Sequence, residues 1–213
     1  MIADKKELRF YCMADSMMNR GCFRLPLAHR LARIFYPDHV MDYLRHMRYF
    51  SYYSAHRKTL SGKLRYFWHK ARYYKLGLKL GYSIGCDCFG YGLRLPHYGS
   101  IVVGKSNRIG PYAMLFPASC IVDEASEIGE AFFLAHGAVL SKQVRLGHQV
   151  VVAANSVMNV SCEEGCAIFA GSPAKKVKDN PKPWYAGVWG KDPIWLQRVE
   201  QVEELRQKMF GRD

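Results

Sequence analysis

From Val103 onward an aliphatic side chain returns every six positions: Ile109, Leu115 and Ile121, then after one step of seven Ile128, Leu134, Leu140, Leu146, Val152 and Met158. The residue after each is small at Gly104, Gly110, Gly129, Ala135, Ser141, Gly147 and Ala153, and the position four beyond is Ala, Ser, Val or Cys in eight of the ten cases. A period of six fits neither the 3.6 of a helix nor the 2 of an ordinary strand. It fits a short strand with its aliphatic residue pointing inward, followed by a corner at which a small residue lets the backbone turn. Three such sides close a coil of about eighteen residues, and one coil cannot cover its own interior, so coils must stack. The pattern predicts a parallel β-helix of triangular cross-section, with about five coils over residues 84–172.

Ahead of the ladder the pattern is different. Up to about residue 80 glycine is scarce and long or aromatic side chains dominate, as in MDYLRHMRYFSYYSAHRKTL and LRYFWHKARYYKLGLKL, which predicts amphipathic helices. The change falls between Lys79 and Ser83. After Lys178 comes the Pro- and Gly-punctuated PKPWYAGVWGKDP; Asp192 then reads as an N-cap with Pro193 in the first turn of a helix over 194–209, its Leu196, Val199, Val202, Leu205 and Met209 near one face. The expected organisation is a helical domain at 1–82, a β-helix at 83–178 and a connector with a short helix at 179–213.

Charge sharpens this division. Of the formal net charge of +13, residues 1–80 carry seventeen Lys and Arg against five Asp and Glu, whereas the remainder is nearly neutral. Such a basic segment suits an acidic partner, a membrane surface among them; the plain alternative is a solvated helical face. Its aromatics at helical spacing fit packing and snorkelling better than a nucleic-acid surface, and no specific nucleic acid is expected. The seven cysteines are odd in number and form no C-x-x-C pair, which argues against a disulfide framework or zinc ribbon and leaves reduced thiols, with Cys86 and Cys88 the one candidate metal pair. MIADKKELRF lacks the apolar core of a signal peptide and no run of eighteen apolar residues occurs, so the expected location is cytoplasmic, with peripheral contact at the inner face of the membrane through the basic helices.

The ladder, together with GLRLPHYGSIVVGKSNRIG and the exit IFAGSPAKKVK, resembles the hexapeptide-repeat acyltransferases, and within them the serine acetyltransferase branch, which includes O-acetyltransferases of capsule and surface polysaccharides. The resemblance covers about residues 80–178. It implies a left-handed β-helix behind a helical N-terminal domain, a homotrimer with pairing of two trimers left open, and acetyl-CoA as co-substrate with no metal. The histidine of the motif is His97, whose neutral imidazole would take a proton from an acceptor hydroxyl. The family's groove between neighbouring β-helices points to Ala135, Gly137, Ala153 and Ala154 for the pantetheine arm, and to Ser172, Pro173, Lys175 and Lys176 near the phosphates; the plain alternative for the two lysines is a solvated exit loop.

The departures bear on the acceptor. Pro96 stands where serine acetyltransferases have an Asp before the histidine, and CIVDEASEIGEA lacks the second histidine of the family's longer loop. Asp123, Glu124 or Glu127 could supply an orienting carboxylate if a neighbouring coil or subunit brings one near. The leading expectation is therefore acetyl transfer to a sugar hydroxyl, with serine O-acetylation as the alternative and a non-catalytic β-helix for binding or assembly as the alternative of another class. His136 is either a packed corner residue or a groove residue, His148 a solvent-facing corner. A zinc site from His97, His136 and His148 is disfavoured by their spacing.

Overall fold

The computed structural model describes residues 2–188 and 193–211. Four helices come first: α1 (Lys5–Arg20), α2 (Leu27–Ala32), α3 (His39–Ala55) and α4 (Leu60–Leu80). Their ends follow from local chemistry. Asp4 caps α1 by accepting from the Glu7 N–H at 2.7 Å while the Glu7 carboxylate accepts from the Ala3 N–H at 2.7 Å, a reciprocal arrangement that satisfies two otherwise orphaned donors. Thr59 caps α4, which stops at Gly81 with φ +79°, a left-handed conformation that costs glycine little.

From Tyr82 the chain winds into a parallel solenoid with three faces. The first stacks Tyr82–Ile84, Ile101–Val103, Ser119–Ile121, Val139–Leu140 and Val157–Met158; the second Arg108–Ile109, Glu127–Ile128 and Arg145–Leu146; the third Met114–Leu115, Phe133–Leu134, Val151–Val152 and Ala167–Gly171. All ten ladder residues are buried, none more than 5% exposed, so the period of six is the period of the prism's sides. Ala174–Asp179 then folds back antiparallel on Ala167–Gly171, and the last helix, α5 (Ile194–Phe210), follows. The expected N-cap Asp192 lies outside the described residues; Pro193 occupies the cap position.

The helical segment covers what the solenoid leaves open. Met41, Leu44, Met47, Tyr73, Leu76 and Leu80 of α3 and α4 join one core with Tyr82, Ile84 and the ladder, closing the end of the first coil, as terminal elements of stacked repeats must. Phe10, Ala14, Met17 and Met18 of α1, with Val199 and Val202 of α5, cover the outer side of the third face at Tyr112, Met114, Phe133 and Val151. Between these layers Arg48 forms a buried ion pair with Asp15, both side chains 1% exposed. Arg48 also donates to the carbonyls of Phe89 and Gly90, and Asp15 accepts from the Leu93 N–H, so one pair joins α1 and α3 to the first coil.

Inside the helical segment the buried His46 and His69 face each other, Nδ1 to Nδ1, at 2.9 Å, so one ring donates and the other must be neutral to accept. Burial first, then nearby cations (Arg72 and Arg45 for His46; His46, Arg45 and Arg65 for His69), lowers each to about 4, with Asp42 opposing at His46. Tyr49, Tyr53 and Trp68 pack around the pair. An unfolded histidine titrates near 6.5, so between about pH 6.5 and 4 the unfolded chain takes up protons that the fold refuses, and stability falls as pH drops. Thermal melts across that window are expected to lose roughly 1–2 kcal/mol per pH unit from this pair, and the double variant His46→Phe/His69→Phe to show a flatter profile. An unchanged slope would remove the pair as the cause.

Candidate active site

The corner joining the third face to the first recurs in every coil, and it gathers residues far apart in the sequence. Going up the stack it consists of residues 96–100, 116–118, 135–138, 153–156 and 171–173. His97, Ala135, Gly137, Ala153, Ala154, Ser172 and Pro173 therefore lie along one edge. The backbone turns there in the left-handed region at Gly99 (φ +134°), Ala118 (+60°), Gly137 (+71°) and Asn155 (+56°). Glycine suits position 137, where an added Cβ would sit 2.2 Å from the Asn155 Oδ1 in the next coil and force that side chain to move.

His97 sits on an outsized turn. Six residues lead from Leu115 to Ile121 in the second coil, but eight lead from Leu95 to Val103 in the first, so the segment around His97 stands out from the edge by two residues. The turn is anchored by its backbone: the Tyr82 hydroxyl donates to the His97 carbonyl at 2.7 Å and the Gly99 N–H to the Leu80 carbonyl at 2.9 Å, tying the loop to the end of α4. The imidazole is exposed and lies 5.9 Å from the Phe116 ring, centroid to centroid. Among the described residues no side chain hydrogen-bonds its ring nitrogens. Beside it Tyr98 is 76% exposed.

The carboxylates considered as orienting groups are engaged elsewhere, Asp123 and Glu124 at the corner between the first and second faces and Glu127 on the second face. Asp123 accepts from the N–H and hydroxyl of Ser106, which hold its carboxyl below the usual range. Glu124 accepts from the Gln143 N–H, and Glu127 lies 3.7 Å from Arg145. Within one chain none reaches His97.

Solvent-facing backbone donors complete the edge, that of Ala118 among them. The N–H groups of His136 and Ala154 have no partner among the described residues, whereas Gly137 and Asn155 donate to the carbonyls of Pro117 and His136. Free amides beside small residues suit an extended ligand rich in carbonyl groups. Sequence reasoning had taken Ala154 for its size and left His136 between two roles; the free N–H of each depends on the turn geometry. Lys175 and Lys176 follow the cis Ser172–Pro173 bond on the returning strand, both exposed, with Lys176 paired to Asp179 at 2.8 Å. His148 is a corner residue between the second and third faces, close to Glu130.

Two hollows lie elsewhere. One of about 590 Å³ runs along the second face past Arg108, Glu127 and Arg145, and another of about 730 Å³ lies between α1 and α3; neither touches His97. Burial pushes the Cys86 thiol up to about 12 and Cys88 up to about 11, so both stay protonated at neutral pH and neither is poised as a nucleophile or thiolate ligand. Among the described residues no three His, Cys, Asp or Glu side chains converge on a common point.

No family model matches the sequence, and no curated protein does. The fold has clear relatives. A soybean serine acetyltransferase complexed with serine superposes with a TM-score of 0.61 at 19% identity over 80% of this chain and 69% of that one. A serine acetyltransferase in complex with CoA gives 0.57 at 17% identity over 81% and 69%, and the enzyme of Neisseria gonorrhoeae 0.55 at 19% over 86% and 70%. The architecture is that of the hexapeptide-repeat β-helix with a helical N-terminal segment.

Proposed function

We propose that the protein is an acetyl-CoA-dependent O-acetyltransferase acting on a sugar hydroxyl. The observation that carries this reading is the single edge on which a projecting, backbone-anchored histidine shares a corner of the solenoid with the small residues Ala135, Gly137, Ala153 and Ala154 and with solvent-facing N–H groups, those of His136 and Ala154 among them. Acetyl-CoA supplies an acyl group already activated as a thioester, so the chain has three tasks: to hold the donor, to remove a proton and to stabilise negative charge. The His136 and Ala154 amides hold the donor's amide carbonyls, and Lys175 contributes charge near its phosphates. His97 takes the proton of the acceptor hydroxyl as the oxygen attacks the thioester carbonyl, then returns it to the departing sulfur. Negative charge on the carbonyl oxygen needs a preorganised N–H donor at the same edge. The edge is open on a single chain, and a second protomer packed against it, as in a trimer, would turn it into a cleft that excludes water.

The acceptor follows from what surrounds the imidazole. Pro96 stands where an acidic residue would, and within one chain no carboxylate lies beside the imidazole to pair with the ammonium group of an amino acid. The exposed Tyr98 ring offers the flat apolar face against which the C–H side of a pyranose can lie. Serine O-acetylation is the second reading, and it rests on the serine-bound soybean structure among the neighbours. Thiol release from acetyl-CoA, followed with amino-sugar, nucleotide-sugar and oligosaccharide acceptors beside L-serine, separates the two: turnover is expected with a glycosyl acceptor and not with serine. Turnover with serine alone overturns the sugar assignment, and no turnover with any acceptor, joined to no binding of CoA, overturns the enzymatic reading.

A further inference from the structure

Helix α4 carries two apolar faces, and the fold uses one of them. His69, Tyr73, Leu76, Gly77 and Leu80 turn inward. On the opposite side Leu60, Leu64, Phe67, Ala71, Tyr74 and Leu78 follow one another by alternating steps of four and three. At 100° per residue these six fall within about 40° of one line along the helix. They are not scattered surface residues: Leu78 is 87% exposed, Leu60 75%, Phe67 64% and Leu64 63%. An uninterrupted apolar stripe along a 21-residue helix is the kind of surface that a soluble fold covers with a partner.

The charges beside the stripe say which partner. Helix α4 contains Lys63, Arg65, Lys70, Arg72, Lys75 and Lys79 and no Asp or Glu. By the same helical geometry Lys63 and Lys70 border the stripe on one side and Lys75 and Lys79 on the other. If two copies of α4 paired along the stripe, the four bordering lysines of each would face a row of lysines on the other with no carboxylate on the helix to compensate. An anionic lipid surface satisfies both features at once: the stripe enters the boundary between headgroups and acyl chains while the bordering lysines meet lipid phosphates. Trp68, 57% exposed at the shoulder of the stripe, has the amphipathic ring suited to headgroup depth. Among the described residues no helix is long and apolar enough to cross a bilayer, so α4 would lie on the surface.

We propose that the outer face of α4 docks the protein flat on an anionic membrane, with Leu64, Phe67 and Leu78 as the inserted side chains. This goes beyond the acetyl-transfer reading and does not depend on it.

The test is sedimentation of the full chain with vesicles of phosphatidylcholine alone and of phosphatidylcholine mixed with phosphatidylglycerol. Binding is expected to the mixed vesicles, weakening as salt is raised. The variant Leu64→Ser/Phe67→Ser/Leu78→Ser is expected to lower partitioning by about tenfold or more, and Lys63→Gln/Lys70→Gln/Lys75→Gln to abolish the preference for anionic lipid. All six positions lie off the buried face of α4, so circular dichroism and melting should match the wild type. The proposal is overturned if the wild type stays in solution with both kinds of vesicle, or if the serine variant binds as well as the wild type. It is equally overturned if the stripe proves to hold two copies together, read as a larger assembly in solution that the serine variant dissociates. Thiol release with a soluble acceptor, measured without vesicles, reports separately on the acetyl-transfer reading.

Discussion

Replacing His97 by alanine is expected to lower kcat for acetyl transfer by about 10²–10⁴-fold, the range supplied by a positioned general base, with the KM for acetyl-CoA changed little. The asymmetry follows from the site's construction. The groups assigned to the donor are the amides of His136 and Ala154 and the small residues of the later coils, which the substitution does not touch, whereas removal of the acceptor proton rests on one imidazole. Structural collapse is not a competing explanation. The ring is exposed, its described contact is the Phe116 ring, and the turn is held through the His97 carbonyl and the Gly99 N–H, which alanine retains. The melting temperature of His97→Ala should therefore match the wild type. Tyr82→Phe removes the hydroxyl that holds the His97 carbonyl and tests positioning; a smaller drop in kcat is expected, with the KM for acetyl-CoA unchanged. Full turnover by His97→Ala would sink the mechanism.

The second large effect concerns stability. Asp15→Ala is expected to destabilise the fold by about 3–5 kcal/mol, because it strands the Arg48 guanidinium in the interior. For a chain of this size that corresponds to a fall in melting temperature on the order of 10 °C. The pair is not a simple source of stability. Burial raises the Asp15 carboxyl above the usual carboxylate range in spite of Arg48 and the backbone donors that pull the other way, whereas at Arg48 the attraction of Asp15 overcomes burial and raises the guanidinium, so desolvation and attraction largely offset each other across the pair. The pair fixes how α1 and α3 meet the first coil, since Arg48 also satisfies the Phe89 and Gly90 carbonyls and Asp15 the Leu93 N–H. The double variant Asp15→Leu/Arg48→Met should accordingly recover part of the loss, and not all of it, because the two carbonyls remain without a donor. Thermal or denaturant melts of the three proteins decide the matter; a mild effect of Asp15→Ala alone would contradict the account.

The solenoid was legible because its rule is local and repeated. Each side of the prism needs one inward aliphatic residue and one small residue at the turn, so Val103 through Met158 carry the architecture openly, and the irregular step at Ile128 marks the one longer turn in the ladder. The histidine of LPHYGSIVVG was singled out by the motif around it, whereas the protrusion of its turn was not read. Other features left no trace in the pattern. Asp15 and Arg48 are thirty-three positions apart and read as ordinary surface charges, and His46 and His69 carry no spacing that announces contact. The carboxylates Asp123, Glu124 and Glu127 were near enough in sequence to be weighed as partners of His97, but the winding of the coil sends them to another corner and to the second face.

The sequence by itself determined the period, and with it the stacked coils, the helical segment before them and the histidine at their start, because these depend on which residue types recur at which interval. Tertiary structure decided which corner each segment occupies, that His97 and the free amides of His136 and Ala154 share an edge, and that α4 turns one apolar face inward and leaves the other bare. Those facts depend on the accumulated rotation of successive coils and on which surfaces meet in packing, and neither quantity is encoded at any single position of the chain.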